Sequence, residues 1–244
     1  MNIQCQIVEV SDPHKLPKES LPEEGLLLEN PGRVICHRDV FVAIIETFNA
    51  TGDTLIDDVF FPLLGNRLFL IPVVITHGVP APYDAWCTVY HGKKAFFFNL
   101  SDWSGDDLKH SGIAVVKHEI THVLLAELLK KPDDNNPIDV LNEMIINEGI
   151  AHFVGYPRDR STLLSDKTPA FERAEEQLRI ALLKLSDPNT DKAESQEILK
   201  QGCTGKYWEK YAAIAGMYRT ALLFAQHGAK GIIDAIHAGH LPTP

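Results

Sequence analysis

The sequence has few cysteines, few basic residues and no long hydrophobic run. Its four cysteines are scattered singly, without a Cys-x-x-Cys pair. This spacing argues against a disulfide framework and a thiolate zinc site, and it favours reduced thiols. No stretch approaches the roughly 18 consecutive apolar residues of a transmembrane helix. The start, MNIQCQIVEVSDPHK, lacks the basic and apolar regions of a secretory signal. We therefore predict a cytoplasmic protein, with export by a route that needs no signal peptide as the alternative.

The charge balance is acidic. Asp and Glu number 33 against 23 Lys and Arg, which gives a formal net charge of −10. Nucleic acids and anionic membranes both bind clustered Lys and Arg. The sequence has no basic run beyond Lys93-Lys94 and Lys130-Lys131. We therefore expect neither a nucleic acid nor a membrane as partner.

The hydrophobic pattern changes along the chain. It predicts a strand over 3–10, a helix over 39–52, and a β-rich stretch over 55–100 that includes a hairpin turning at His91-Gly92. Beyond it the pattern is helical. Because strands and helices do not alternate, we predict the α+β class, with a mixed sheet in a β-rich N-terminal half and a helical C-terminal half. We expect one domain over 1–244, with sub-lobes at 1–104 and 105–244.

Capping signals mark the ends of the helices that we predict in the C-terminal half of the chain. Ser104, followed three residues later by Asp107, resembles a capping box and predicts a helix that runs to about Lys131. Pro137 suits the first turn of the next helix, which Gly155 ends. Further helices are predicted over 169–186, 206–227 and 229–238.

The first of these helices carries the motif HEITH. His118 and His122 are four residues apart, so they lie on one helix face and can both reach one zinc ion at about 2.0–2.1 Å. Glu119 is about 100° round the helix from His118 and can lean over the open side of the metal. There it could act as general base towards a bound water. The alternative is a helix whose histidines are packed or exposed without a metal.

A zinc hydrolase needs a third protein ligand and an open position. Glu148 lies in the otherwise apolar run INEGIAHFVG, where a carboxylate is costly unless it is paired or binds a metal. The 25 residues between His122 and Glu148 allow a turn and a returning helix. His152, one turn further, competes for the same role or serves as a second-shell or substrate-binding group. Glu143 lies off that face.

The pair HEITHVLL and NEGIAHFV resembles the gluzincin zinc metallopeptidases, particularly the peptidase MA-like families. The resemblance covers about 95–155 and implies a zincin-like active-site helix. It also implies one Zn²⁺ per chain, with His118, His122 and Glu148 as ligands and Glu119 as base. Some gluzincins carry an Asp one turn after the third ligand, where this sequence has His152.

The resemblance also implies a tyrosine that stabilises the oxyanion and a sheet edge that binds substrate. Tyr211 is the first candidate for the tyrosine, and Tyr218, seven residues on, is the second. The segment 95–101 is placed to be the binding edge, although it could equally be an ordinary strand of the sheet.

Three functions remain open at this point. The first is a zinc-dependent metallopeptidase that acts on a peptide or protein substrate. The second is a zinc hydrolase that acts on a non-peptide amide, because the same attack by water serves both. The third is a non-catalytic binding protein that retains the zincin fold, although such a protein has no need of Glu119.

Overall fold

The computed structural model describes residues 1–23, 25–28, 37–80, 83–101 and 103–243. Within these residues, four strands all lie before residue 100, and 59% of the described residues are helical when 3-10 turns are included. The predicted α+β class is therefore confirmed. The chain divides into two compact units, Met1–Leu124 and Leu125–Pro244. None of the described helices is both long enough and apolar enough to cross a membrane.

The N-terminal unit contains a four-stranded mixed sheet in the order β1-β2-β4-β3. Strands β1, β2 and β4 run parallel, and β3 pairs antiparallel with β4. The strands are β1 Asn2–Glu9, β2 Leu68–Thr76, β3 Ala85–Tyr90 and β4 Lys93–Asn99. The predicted hairpin is present, and His91 and Gly92 at its turn both have positive φ, 47° and 77°. Two such residues in succession suit a tight two-residue turn.

Three helices complete this unit: α1 Arg38–Thr51, α2 Thr54–Leu64 and α3 Gly105–Leu125. On one face of the sheet, the rings of Phe41 in α1 and Phe98 in β4 lie 4.1 Å apart. The opposite face carries a buried cluster in which Trp86 stacks on Phe97 at 5.0 Å. Leu16, from the irregular segment after β1, is buried in that cluster.

The C-terminal unit is helical. Its helices are α4 Pro137–Val154, α5 Leu163–Asp166, α6 Thr168–Leu185, α7 Lys192–Cys203, α8 Tyr211–His227 and α9 Ala229–Ala238. Helices α4 and α8 approach most closely at Gly149 and Gly216. A Cβ at Gly216 would lie 2.0 Å from the Ile145 carbonyl oxygen, and one at Gly149 would lie 2.4 Å from the Gly216 carbonyl carbon. Only glycine allows the two backbones to come this close.

Three sequence expectations differ from the structure, and one open alternative is decided by it. Residues 54–64, expected within the β-rich stretch, form α2 because the Asp53 side chain caps the helix by accepting the Ile56 N–H at 3.0 Å. Helix α3 ends at Leu125, well before Lys131, in a turn where the Leu128 N–H donates to the Leu125 carbonyl. Helix α7 was not expected. Of the two alternatives for 95–101, the structure supports the ordinary strand, because β4 lies between β2 and β3 and the edge strands of the described sheet are β1 and β3.

Candidate metal centre

Helix α3 is anchored at its start and along its length. The Ser104 hydroxyl accepts the Asp107 N–H at 3.1 Å, as the capping pattern predicts. Further along, the Lys117 ammonium forms a 2.6 Å ion pair with Asp53, which caps α2. Val116, two residues before the motif, and Ile120, within it, are fully buried. The ion pair of Lys117 with Asp53 therefore ties the helix that carries HEITH to α2.

The two histidines of the motif lie side by side. The Nε2 atoms of His118 and His122 are 2.9 Å apart, and the ring centroids are 4.5 Å apart with the planes nearly perpendicular at 85°. Both side chains are partly exposed. Two imidazole nitrogens thus point to one place on a single helix face, as the spacing predicts.

Glu119 is buried, with 5% of its surface exposed. Its carboxylate acts on the thiol of Cys87 in β3, whose pKa is raised to about 12, first by burial and then by the negative charge of Glu119. The charge of Glu119 therefore acts on a residue of β3, an edge strand of the sheet.

Helix α4 carries Glu148 at the start of its fourth turn. The Asn136 side chain caps the helix by accepting the N–H groups of Ile138 and Asp139 at 3.1 and 3.4 Å. Pro137 follows at the first helical position, as predicted. Glu148 directly precedes Gly149, the residue at the close approach to α8, and its side chain is 26% exposed.

The structure brings His118, His122 and Glu148 together. Each offers one ligand atom, and these atoms all lie within 4.8 Å of one another. Atoms bound tetrahedrally to zinc at about 2.1 Å are separated by roughly 3.4 Å, so small side-chain rotations suffice for convergence. Two imidazoles and one carboxylate are also a known donor set of zinc hydrolases. These residues therefore fit a zinc ion.

His152, the competing third ligand, is not a member of this group. It is 3% exposed, and its Nδ1 lies 3.0 Å from the Glu148 carbonyl oxygen and 3.3 Å from Glu148 Oε2. Its imidazole therefore contacts the predicted ligand itself.

The candidate tyrosines occupy different surroundings. Tyr211 is 6% exposed, and its hydroxyl donates to the Ile198 carbonyl at 2.7 Å. Burial raises the pKa of Tyr211 to about 12. Tyr218 stacks on Phe171 with ring centroids 4.9 Å apart. Tyr207, to which the sequence assigns no role, packs against His152 with a centroid separation of 5.1 Å. It belongs to the aromatic pair Tyr207-Trp208 before α8, and that pair gives no sequence signal of the contact with His152.

The α+β fold and the His-His-Glu group together define a protein with the donor set of a zinc-binding hydrolase. Comparison with known families agrees: residues 74–239 match a family described as "Putative zinc dependent peptidase (DUF5700)". The match spans more than half of the chain, and the chain belongs to this family. The matched range includes His118, His122 and Glu148. No curated protein and no solved structure matches the chain.

Proposed function

We propose that this protein is a zinc-dependent peptidase that binds one ion per chain through His118, His122 and Glu148. The observation that carries the proposal is the convergence of these three donor atoms within 4.8 Å. Membership of a family described as zinc-dependent peptidases supports it. Zinc held by these residues would polarise a peptide carbonyl and lower the pKa of a water molecule.

Glu119 is the general base of the proposed reaction. Its carboxylate would accept a proton from the attacking water and deliver it to the nitrogen of the leaving amine. Two observations support this role: Glu119 follows a proposed ligand directly in the sequence, and its side chain is buried. Burial keeps bulk water away from the proton in transit.

We assign stabilisation of the oxyanion to Tyr211, with Tyr218 as the second candidate. The Tyr211 hydroxyl donates to the Ile198 carbonyl at 2.7 Å, so it must turn away from that carbonyl to donate to substrate. Replacement by Phe separates the two candidates. Replacing the tyrosine that stabilises the oxyanion by Phe should lower kcat and leave zinc affinity unchanged.

The proposed substrate is a peptide or protein segment in extended conformation. Extended peptides bind to sheet edges by adding a strand. In the N-terminal unit β3 is an edge strand, and the charge of Glu119 raises the pKa of Cys87 within it. The other end of β3 is partly covered, because the Ser20 hydroxyl donates to the Val89 carbonyl at 2.6 Å. We therefore place the substrate strand along residues 85–87.

The first experiment is metal analysis of protein purified without chelator. We expect about one zinc per chain in the wild type, very little in Glu148→Ala, and a normal content in Glu176→Ala, an exposed glutamate of α6. An equal zinc content in Glu148→Ala and the wild type would exclude Glu148 as a ligand.

The second experiment measures peptide cleavage with a mixed peptide library and mass spectrometry. Loss of a general base typically costs about 10²–10⁴-fold in rate. We expect Glu119→Gln to keep its zinc and lose activity by that factor, whereas Glu46→Gln on the exposed side of α1 should retain activity. A zinc-loaded Glu119→Gln with wild-type cleavage would refute the assigned role. A zinc-loaded wild type that cleaves no peptide would favour a non-peptide substrate.

A further inference from the structure

His152 is a buried polar residue that the proposed reaction does not use. It lies one helical turn after Glu148 in α4 and is 3% exposed. Its Nδ1 is within hydrogen-bonding distance of two acceptors on Glu148, the carbonyl oxygen at 3.0 Å and carboxylate Oε2 at 3.3 Å. A neutral imidazole protonated at Nδ1 can share its single N–H between two such acceptors. Both contacts therefore favour the tautomer of His152 that carries its proton on Nδ1.

The imidazole ring is itself held in place. The ring of Tyr207 packs against it at 5.1 Å with an interplanar angle of 46°, and Trp208 packs edge-on against Tyr207 at 5.1 Å. The Tyr207 hydroxyl points to the Met217 sulfur at 3.9 Å, which fixes the tyrosine ring against α8. The orientation of His152 is therefore set from outside α4 as well as by Glu148.

A glutamate side chain has three rotatable bonds, and it binds a metal only in some of its conformations. A donor on one carboxylate oxygen restricts the side chain to fewer of these conformations. Hydrogen bonds of this kind, from a neighbour to a ligating carboxylate, typically change metal affinity by about 10–100-fold. Because His152 contacts Glu148 and is not in the donor group, its geometry suits this supporting task.

We propose that His152 is a positioning residue, whose Nδ1–H orients the Glu148 carboxylate for metal binding while Tyr207 fixes the imidazole. The inference rests on the proposed function, since it takes Glu148 as a zinc ligand. It assigns His152 neither a bond to the metal nor a proton-transfer step.

Two nearly isosteric substitutions test which nitrogen matters. The amide nitrogen of Asn can occupy the position of Nδ1, whereas that of Gln reaches only the position of Nε2. We expect His152→Asn to keep zinc affinity within a few-fold of the wild type. We expect His152→Gln and His152→Leu to weaken it by about 10–100-fold. His227→Asn, at the exposed end of α8, is the control and should have no effect.

Zinc affinity is measured by titrating metal-free protein against a chromophoric chelator of known affinity. The cobalt(II) absorption spectrum gives a second readout, because its d–d bands report the coordination geometry. Equal affinity in the Asn and Gln variants, whether retained or lost, would overturn the proposal. If substitution of His152 prevents folding, Tyr207→Ala provides the test, since it leaves both Glu148 and His152 in place. It should weaken zinc binding several-fold, and an unchanged affinity would overturn the proposal.

Glu148→Ala separates failure of this inference from failure of the proposed function. If Glu148→Ala binds zinc as tightly as the wild type, the ligand set is wrong and this inference falls with it. If Glu148→Ala loses zinc while all His152 variants bind it normally, only the role of His152 is refuted.

Discussion

Alanine at Gly216 should destabilise the C-terminal unit more than most single substitutions. The added Cβ would lie 2.0 Å from the Ile145 carbonyl oxygen and 2.8 Å from the Gly149 Cα. Carbon atoms pack at about 3.5–4.0 Å, so α4 and α8 must separate by roughly 1 Å. Both obstacles are backbone atoms, which cannot rotate away as a side chain can. The Cβ can therefore be accommodated only if a helix moves.

The magnitude follows from two opposing terms. Overpacking typically costs about 1–3 kcal/mol, and a clash with backbone belongs at the upper end of that range or beyond it. Alanine recovers about 0.8–1.0 kcal/mol over glycine within a helix. We therefore expect a net loss of about 2 kcal/mol in the free energy of unfolding. For a chain of this size, that corresponds to a fall of roughly 4–8 °C in Tm.

The control for this prediction is Gly112→Ala in α3. Its Cβ would clash with the Cδ1 atom of Ile44, at 2.7 Å, which is the far end of a flexible side chain, and would make an ordinary contact with the Cδ2 atom of Leu108 at 3.7 Å. The gain in helix propensity should offset that contact, so stability should stay within about 0.5 kcal/mol of the wild type. Thermal unfolding by circular dichroism measures both variants. A Gly216→Ala protein as stable as Gly112→Ala would refute the close approach of α4 and α8.

Two further predictions concern the N-terminal unit. Asp53→Ala removes both the cap of α2 and the partner of Lys117. We therefore expect the free energy of unfolding to fall by about 1–2 kcal/mol, with Asp57→Ala as a matched helical control. An unchanged Tm in Asp53→Ala would contradict this prediction. Burial raises the pKa of both Cys5 and Cys87 to about 12, so at pH 8.5 each should react with iodoacetamide roughly 10²–10³-fold more slowly in folded than in unfolded protein. Because Glu119 also raises the pKa of Cys87, Glu119→Gln should accelerate alkylation of metal-free protein at Cys87 and leave Cys5 unchanged. Equal acceleration at both thiols, read by peptide mass spectrometry, would place Glu119 away from β3.

Local signals predicted the elements that the site requires. Ser104 and Pro137 marked the starts of α3 and α4, and the structure has both helices beginning there. The i, i+4 spacing of His118 and His122 predicted their shared face, because helix geometry alone fixes it. Two signals were overlooked: Asp53 and Asp191 are aspartate caps that mark the unexpected helices α2 and α7.

Pairing between distant segments was not predictable in the same way. The hydrophobic run of β4 is equally compatible with an edge strand and an internal strand, since neither its length nor its composition records its neighbours. The parallel pairing of β2 with β4 makes it internal. The contact of Tyr207 with His152 likewise depends on how the segment before α8 packs on α4. Such contacts belong to the tertiary structure, and a single sequence carries no local trace of them.

The segment NEGIAH shows how packing and chemistry share one helix. Gly149 has no Cβ and allows α8 to approach, and this fixes the backbone on which Glu148 and His152 are placed. Glu148 and Gly149 are neighbours in the sequence, so the packing residue and the proposed ligand share one helical turn. A substitution at Gly149 should therefore act on Glu148 through the backbone, without touching the carboxylate. Gly149→Ala, whose Cβ would lie 2.4 Å from the Gly216 carbonyl carbon, should for that reason lower zinc affinity as well as stability.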